Sequence, residues 1–457
     1  MKRRILRWTG RRFAVLIVTV VAGCETYRPA PLAPAKSDQE YRTRTLADPG
    51  LRQFAESNLD SGLREWPPPD WDLHLLTLVA FYYHPDLDVA RARVGVTEAR
   101  IKTAGERPNP TLALFPQYTT NSPAGISPWT LGFSLDLPLE TAGKRGYRVK
   151  QAQALTAAAR LDLAATAWSV RSRVRDALLD HLLAARELDL LRTEEAARTD
   201  AATLMERRLA VGEVSRPDVD AARIELATTK LAIRAAQGSV TETLARLATA
   251  LGVPLSALDG AKLDWPKLDE PPAPPEMLQE AGLLNRIDIR RALLEYTAAE
   301  TALQLEVAKQ YPDLHLGPGY FWDQGDRRYS LGFSVKLPVL NQNQGPIAQA
   351  KARRKLSGAQ FLALQAQAIG ETEQTLARYR AALAEFAEAD KLVALLQEQK
   401  TAMQHAVQIG ESDKLALAGL FVRTAVASRA RLGALHKAQV AFGALEDAVQ
   451  RPLIEGK

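Results

Sequence analysis

Leu131-Gly132-Phe133-Ser134-Leu135-Asp136-Leu137-Pro138 returns about 200 residues later as Leu331-Gly332-Phe333-Ser334-Val335-Lys336-Leu337-Pro338. Both stretches alternate. Leu131, Phe133, Leu135 and Leu137 fall on one face of an extended chain, and Gly132, Ser134 and Asp136 on the other. Leu331, Phe333, Val335 and Leu337 oppose Gly332, Ser334 and Lys336 in the same way. Other landmarks keep the register. Asp86-Leu87 precedes Pro110 by the same interval that separates Asp288-Ile289 from Pro312, and Val211-Gly212-Glu213 pairs with Ile409-Gly410-Glu411. The chain reads as a tandem duplication.

Each copy runs in one order. A helical segment comes first, at 86–106 and 288–310. Two strands follow, at 111–118 and 129–137, then at 313–322 and 329–337. A very long helix comes next, at 145–210 and 347–408; a Gly-Glu turn then leads into a return helix ending near Leu251 or Gln450. Long helices of about 63 residues would reach roughly 95 Å. Such a helix needs neighbours along its whole length to cover its apolar stripe. The stripe is near-heptad: Leu163, Ala167, Val170, Val174 and Ala177 in the first, and Leu362, Ile369, Leu376 and Leu383 with Tyr379 and Phe386 in the second. That spacing implies coiled-coil-like packing. The short first helix and the return helix, placed end to end, match the long helix in length.

Composition narrows the class. Aromatics are 6% and the net charge is +6, with both signs mixed along most of the chain, so no block reads as a nucleic-acid patch. The basic excess lies partly in the leader, at Lys2, Arg3, Arg4, Arg7, Arg11 and Arg12. The apolar run at 13–21 is too short to span a bilayer and reads as a signal peptide. It ends in Val21-Ala22-Gly23-Cys24, which resembles a bacterial lipobox and implies lipidation of Cys24, the only cysteine. The expected divisions are a signal peptide at 1–23, a lipid-anchored segment at 24–70, a first repeat at 71–252, a Pro-rich connector at 253–275, and a second repeat with a short tail at 276–457.

The alternating strands are long enough to cross a bilayer when tilted. One apolar and one polar face suit a barrel with lipid outside and water inside. Phe115, Tyr118, Trp129, Tyr320, Phe321, Trp322 and Tyr329 sit near strand ends, where interfacial aromatics are expected. Four strands cannot close a barrel, and a bilayer does not tolerate open edges, so several chains must share one. Three chains would supply twelve strands.

The duplicated plan, the two Leu-Pro strand exits and the two Gly-Glu turns resemble the TolC-like outer membrane factors from about Trp71 to Leu453. Leu137-Pro138-Leu139-Glu140-Thr141-Ala142-Gly143-Lys144-Arg145-Gly146 is similar to the strand exit of the cobalt-zinc-cadmium branch. The resemblance implies a mostly α fold: a long-helix α-barrel in the periplasm, with a twelve-stranded β-barrel shared by a homotrimer. It implies an outer-membrane duct without enzyme activity or cofactor. A periplasmic adaptor and an inner-membrane RND-type pump would be partners, and heavy-metal cations the cargo. Drug-efflux or type I secretion ducts share the fold; a lipid-anchored periplasmic coiled-coil scaffold is the reading from another class.

By the same resemblance, Val211, Gly212, Glu213 and Ser215, with Ile409, Gly410, Glu411 and Ser412, form the adaptor-facing tips. Asp218, Asp220 and Asp413 are candidate gate carboxylates. Where drug-exporting members carry further aspartates, this chain has Ala416 and Gly419. No catalytic motif is present. His74, His84, His181, His315, His405 and His436 are scattered without metal-ligand spacing, so no resident metal site is expected.

Overall fold

A computed structural model describes residues 25–59, 65–265, 267–273 and 286–453. The leader and Cys24 lie outside these, as do 274–275 of the connector and the start of the second repeat to 285. Residues up to Arg44 form one unit and those from Thr45 another. The first holds α1 (Pro34–Arg42), which opens on a proline and has no buried residue.

The second unit begins with two helices absent from the sequence reading, α2 (Pro49–Asn58) and α3 (Leu73–Tyr83). Their start signals are present: Asp48 accepts the Leu51 N–H at 2.9 Å and Asp72 the Leu75 N–H at 2.8 Å. α3 has six buried residues in two to three turns, so it lacks the one-sided period by which a surface helix is recognised.

The two repeats then follow. The first comprises α4 (Pro85–Gly105), β1 (Thr111–Tyr118), β2 (Trp129–Leu139), α5 (Lys144–Ala210) and α6 (Arg216–Leu251). The second comprises α7 (Ile287–Ala308), β3 (Leu314–Asp323), β4 (Asp326–Val335), α8 (Gln344–Gln408) and α9 (Lys414–Val449). β4 starts three residues before the expected Tyr329, because Gln324 and Gly325, both at positive φ, close a two-residue hairpin turn.

α5 has 67 residues, about 100 Å of helix. α4 and α6 pack on α5, as do α7 and α9; α8 packs on α7 and α9. The helices of this unit therefore run in the order α4/α6, α5, α7/α9, α8. This order explains a contrast between two helices of near-equal length. α5 has neighbours on both sides and 17 buried residues, whereas α8, with 65 residues, has neighbours on one side and four: Ala350, Ala368, Tyr379 and Ala382. The heptad positions behave accordingly. Val170, Val174 and Ala177 are buried, but Leu362 and Ile369 remain 64% and 40% exposed.

The core lies near mid-length of the long helices. Leu51, Leu76, Val79, Leu178, Leu247 and Leu251 form its largest cluster, joining α2, α3, α5 and α6. The connector is packed rather than loose. Trp71 pairs with Leu263 in an isolated parallel bridge, the Tyr379 hydroxyl donates to the Pro272 carbonyl, and Gln439 donates to the Glu270 carbonyl at 3.1 Å.

An ionic knot ties the repeats at this height. The Arg175 guanidinium of α5, 5% exposed, meets Glu446 at 3.1 Å and Asp447 at 2.7 Å on α9. Trp168 Nε1 and the Ser172 hydroxyl also donate to Asp447, at 3.0 and 2.5 Å. Burial disfavours the charge on Arg175, yet Asp447, Asp176 and Glu446 outweigh it and raise its pKa. In the second repeat Arg286, equally buried, meets Asp288 at 2.7 Å and Glu371 at 3.2 Å.

Candidate functional site

The four strands form one antiparallel sheet in the order β1-β2-β3-β4, so the two hairpins lie side by side. The register sorts their side chains onto two faces. Leu114 lies opposite Phe133, Phe133 opposite Tyr320, and Tyr320 opposite Tyr329. Leu112, Pro116 and Tyr118 follow on β1, with Trp129, Leu131 and Leu135 on β2. Leu316, Pro318 and Trp322 share that face on β3 with Leu331 and Phe333 on β4. Apart from Arg327 beside the β3–β4 turn, this face is apolar across all four strands, and it is uncovered: Leu114, Leu331 and Phe333 are 68%, 61% and 78% exposed. Its aromatics gather at the hairpin-turn end, where Tyr118 meets Trp129 at 5.0 Å and Tyr320 meets Tyr329 at 5.3 Å between ring centroids.

The opposite face is polar and small. The Thr130 hydroxyl donates to Asp323 at 2.7 Å, Arg328 meets Asp323 at 2.9 Å, and His315 Nδ1 lies 2.9 Å from Asp136. Phe115 and Phe321 belong here, which corrects their assignment with the interfacial aromatics. Phe321 pairs with Gly132, and a Cβ at Gly132 would collide with its ring. The glycine is needed because an aromatic ring from the neighbouring strand lies across it. β1 and β4 each keep one edge unpaired among the described residues. No described helix is long and apolar enough to cross a membrane.

At the far ends of the long helices the two tips are built alike. Gly212 and Gly410 sit at φ 80° and 82°, and the Glu213 and Glu411 N–H groups reach back to the Arg208 and Ala406 carbonyls at 2.9 Å. This is the left-handed helix ending that favours glycine. Val211 and Ile409, at equivalent places, are 71% and 55% exposed. Ser215 and Asp218 form a capping box that starts α6, and Ser412 Oγ lies 2.9 Å from Met403 Sδ. Asp220 pairs with Arg216 at 3.2 Å. Asp413 caps α9 through the Leu415 N–H.

Arg208, which sequence reasoning did not single out, joins the tips. Its guanidinium lies 2.5 Å from Asp413 and 3.7 Å from Glu213. Burial is the largest single influence on Asp413 and raises its pKa, but the Leu415 N–H and Arg208 together outweigh it and hold the carboxyl below its usual value. Its position one turn before the Gly-Glu motif was the available signal.

The histidines stay apart. His181 lies 3.3 Å from the Thr243 hydroxyl, and burial lowers its pKa. His436 meets Asp180 at 3.0 Å. Among the described residues no three His, Cys, Asp or Glu side chains cluster closely enough to hold a metal ion.

Residues 80–253 match the model of the outer membrane efflux protein family. The chain is 26% identical over 280 residues to the cobalt-zinc-cadmium resistance protein CzcC of Cupriavidus metallidurans; the alignment covers 61% of this chain and 65% of that protein, just under two thirds of its length. Among solved structures, CusC superposes with a TM-score of 0.68 at 17% identity, over 85% of this chain and 95% of that one. The open-state MtrE channel of Neisseria gonorrhoeae gives 0.67 at 19%, over 83% and 89%. VceC of Vibrio cholerae gives 0.66 at 19%, over 82% and 95%. With the duplicated hairpins and tips already described, residues 80–253 are similar to the outer membrane efflux protein family, and the chain has the TolC-like fold of the solved channels.

Proposed function

We propose that this chain is the outer-membrane duct of a tripartite export system, conducting substrate passively through a homotrimer. One observation carries the reading: a four-stranded sheet with a continuous, uncovered apolar face and two open edges. A bilayer accepts such a sheet only when its edges are closed, and three copies make a twelve-stranded barrel with the apolar face toward lipid. The helices support the same assembly. α8 is unpartnered on one side and α4/α6 on the other, so α8 of one copy can pack on α4/α6 of the next. Exposed Leu362 and Ile369 on α8, and Val89 and Val96 on α4 at the same end of the helices, are each seven residues apart, as a coiled-coil seam requires.

The likeness to a cobalt-zinc-cadmium resistance protein supports heavy-metal cations as cargo. An RND-type inner-membrane pump would supply the energy and a periplasmic adaptor would dock on the tips, where Val211 and Ile409 offer apolar contacts beside Gly212, Glu213, Gly410 and Glu411. Lipidation of Cys24 would anchor the chain to the same membrane.

The test is assembly. The protein extracted from outer membranes in detergent, unheated, should run at three times the chain mass. A monomer that needs no detergent would overturn the barrel. A deletion strain should then become sensitive to cobalt, zinc or cadmium; unchanged tolerance would remove the metal cargo.

Among the candidate gate carboxylates, Asp218 and Asp220 are engaged within their own helix, which leaves Asp413 as the preferred latch. An exposed ion pair of this kind is worth under about 1 kcal/mol, so docking can break it. Arg208→Ala should raise resting conductance in planar bilayers several-fold. The depressed pKa of Asp413 means its contribution is present at neutral pH and lost as pH falls through the folded value, which lies below the ordinary carboxylate value. Conductance of the unaltered channel should therefore rise in that range, and that of Arg208→Ala should not. Equal conductance of the two at neutral pH would remove the latch.

A further inference from the structure

Beyond the leader's six cations, Lys and Arg number 53, equal to Asp and Glu at 53. The charges are not evenly spread. In the twenty residues adjoining the helical end of each strand, at 91–110, 140–159, 294–313 and 336–355, there are fifteen Lys and Arg against seven Asp and Glu. At the other end of the sheet the two turns, 119–128 and 324–325, hold no charged residue. The carboxylates of this collar are largely committed. Asp313 holds Lys144 at 2.8 Å, Glu306 holds Lys309 at 2.6 Å, Glu300 faces Arg354 at 3.7 Å, and Glu140 holds Arg148. Lys102, Arg107, Lys150, Lys351, Arg353 and Lys355 are exposed. Among the described residues, none of these six has a carboxylate within ion-pair distance.

We propose that this collar binds the anionic phospholipid headgroups of the leaflet facing the helices. The inference rests on the membrane-inserted barrel proposed above. The collar begins where the apolar face of the sheet ends, which is the depth of the headgroup phosphates for a sheet that crosses the hydrocarbon. Basic side chains near an anionic leaflet gain affinity charge by charge. At the opposite end Asp323 and Asp326 balance Arg327 and Arg328 and the turns are neutral, so the preference is one-sided and the collar also orients the sheet in the membrane. Lys351 and Lys355, one helical turn apart, share a face of α8 and act together.

The test compares the full assembled protein in nanodiscs of phosphatidylcholine alone with discs containing a minority of phosphatidylglycerol. Lipid retained after detergent exchange is identified by native mass spectrometry. Phosphatidylglycerol should be retained several-fold above its bulk fraction. Enrichment should fall stepwise with each charge removed and reach the bulk fraction in the triple variant Lys351→Gln, Arg353→Gln and Lys355→Gln. Inorganic phosphate at millimolar levels should not displace the lipid. Displacement by it would reduce the collar to a general phosphate site and overturn the lipid assignment. Insertion into phosphatidylcholine discs without phosphatidylglycerol enrichment, or equal enrichment in the triple variant, overturns the collar while the barrel stands. Failure to insert in either disc sinks both.

Discussion

Arg175→Ala should lower stability by about 3 kcal/mol, the low end for breaking a buried pair, because Asp447 loses its 2.7 Å contact and Glu446, 3% exposed, keeps only Arg171 at 3.3 Å. The measurement is the midpoint of thermal or denaturant unfolding of the purified protein in detergent. The loss comes from the under-compensated buried carboxylates more than from the lost packing contact. Arg175→Met combined with Glu446→Gln should therefore be less damaging than Arg175→Ala alone. If the double variant is at least as unstable as the single one, the buried charge is not the cause. A neighbouring position offers an independent check. Gly443 lies inside α9, where alanine is ordinarily preferred by about 1 kcal/mol. A Cβ there would sit 2.7 Å from Arg175 Nε and 2.8 Å from Cζ, so Gly443→Ala should destabilise, against the helix preference.

The second large effect separates two adjacent residues. Phe133 lies in the middle of the apolar face and Ser134 on the polar one. Phe133→Arg should cost about 2–4 kcal/mol if that face meets the bilayer midplane. It should deplete folded protein from the outer-membrane fraction, while Ser134→Arg should leave the amount near that of the unaltered chain. Equal depletion by both would mean that the two faces do not have different surroundings, and a soluble hairpin would be the better account.

Much of the plan was legible because it is local. Strand alternation, the Leu-Pro exits and the tip glycines are demands of a single segment's backbone or period, and a duplicated segment states each demand twice. Gly212 and Gly410 could be read as helix ends because few other residues take that backbone conformation without strain. α2 and α3 were missed even though Asp48 and Asp72 mark their starts. A cap is a weak signal without a one-sided apolar period to follow it.

Other features depend on residues far apart in the chain. Tyr320, Phe321 and Trp322 are three aromatics in a row, and no period tells which points where; pairing of Phe321 with Gly132 decides it. α5 and α8 carry similar heptad stripes, yet one is buried and the other half bare, because neighbours are assigned by packing order and not by the helix's own residues. Arg175 and Asp447 are separated by 272 positions, and nothing beside either predicts the other. By itself, then, the sequence determined the repeat, the order of its elements and where each turns, since these follow from short-range periodicity and backbone preference. Tertiary structure alone decided which faces the strands share, which long helix is enclosed and which charges meet, since those depend on contacts that form only when the two repeats pack together.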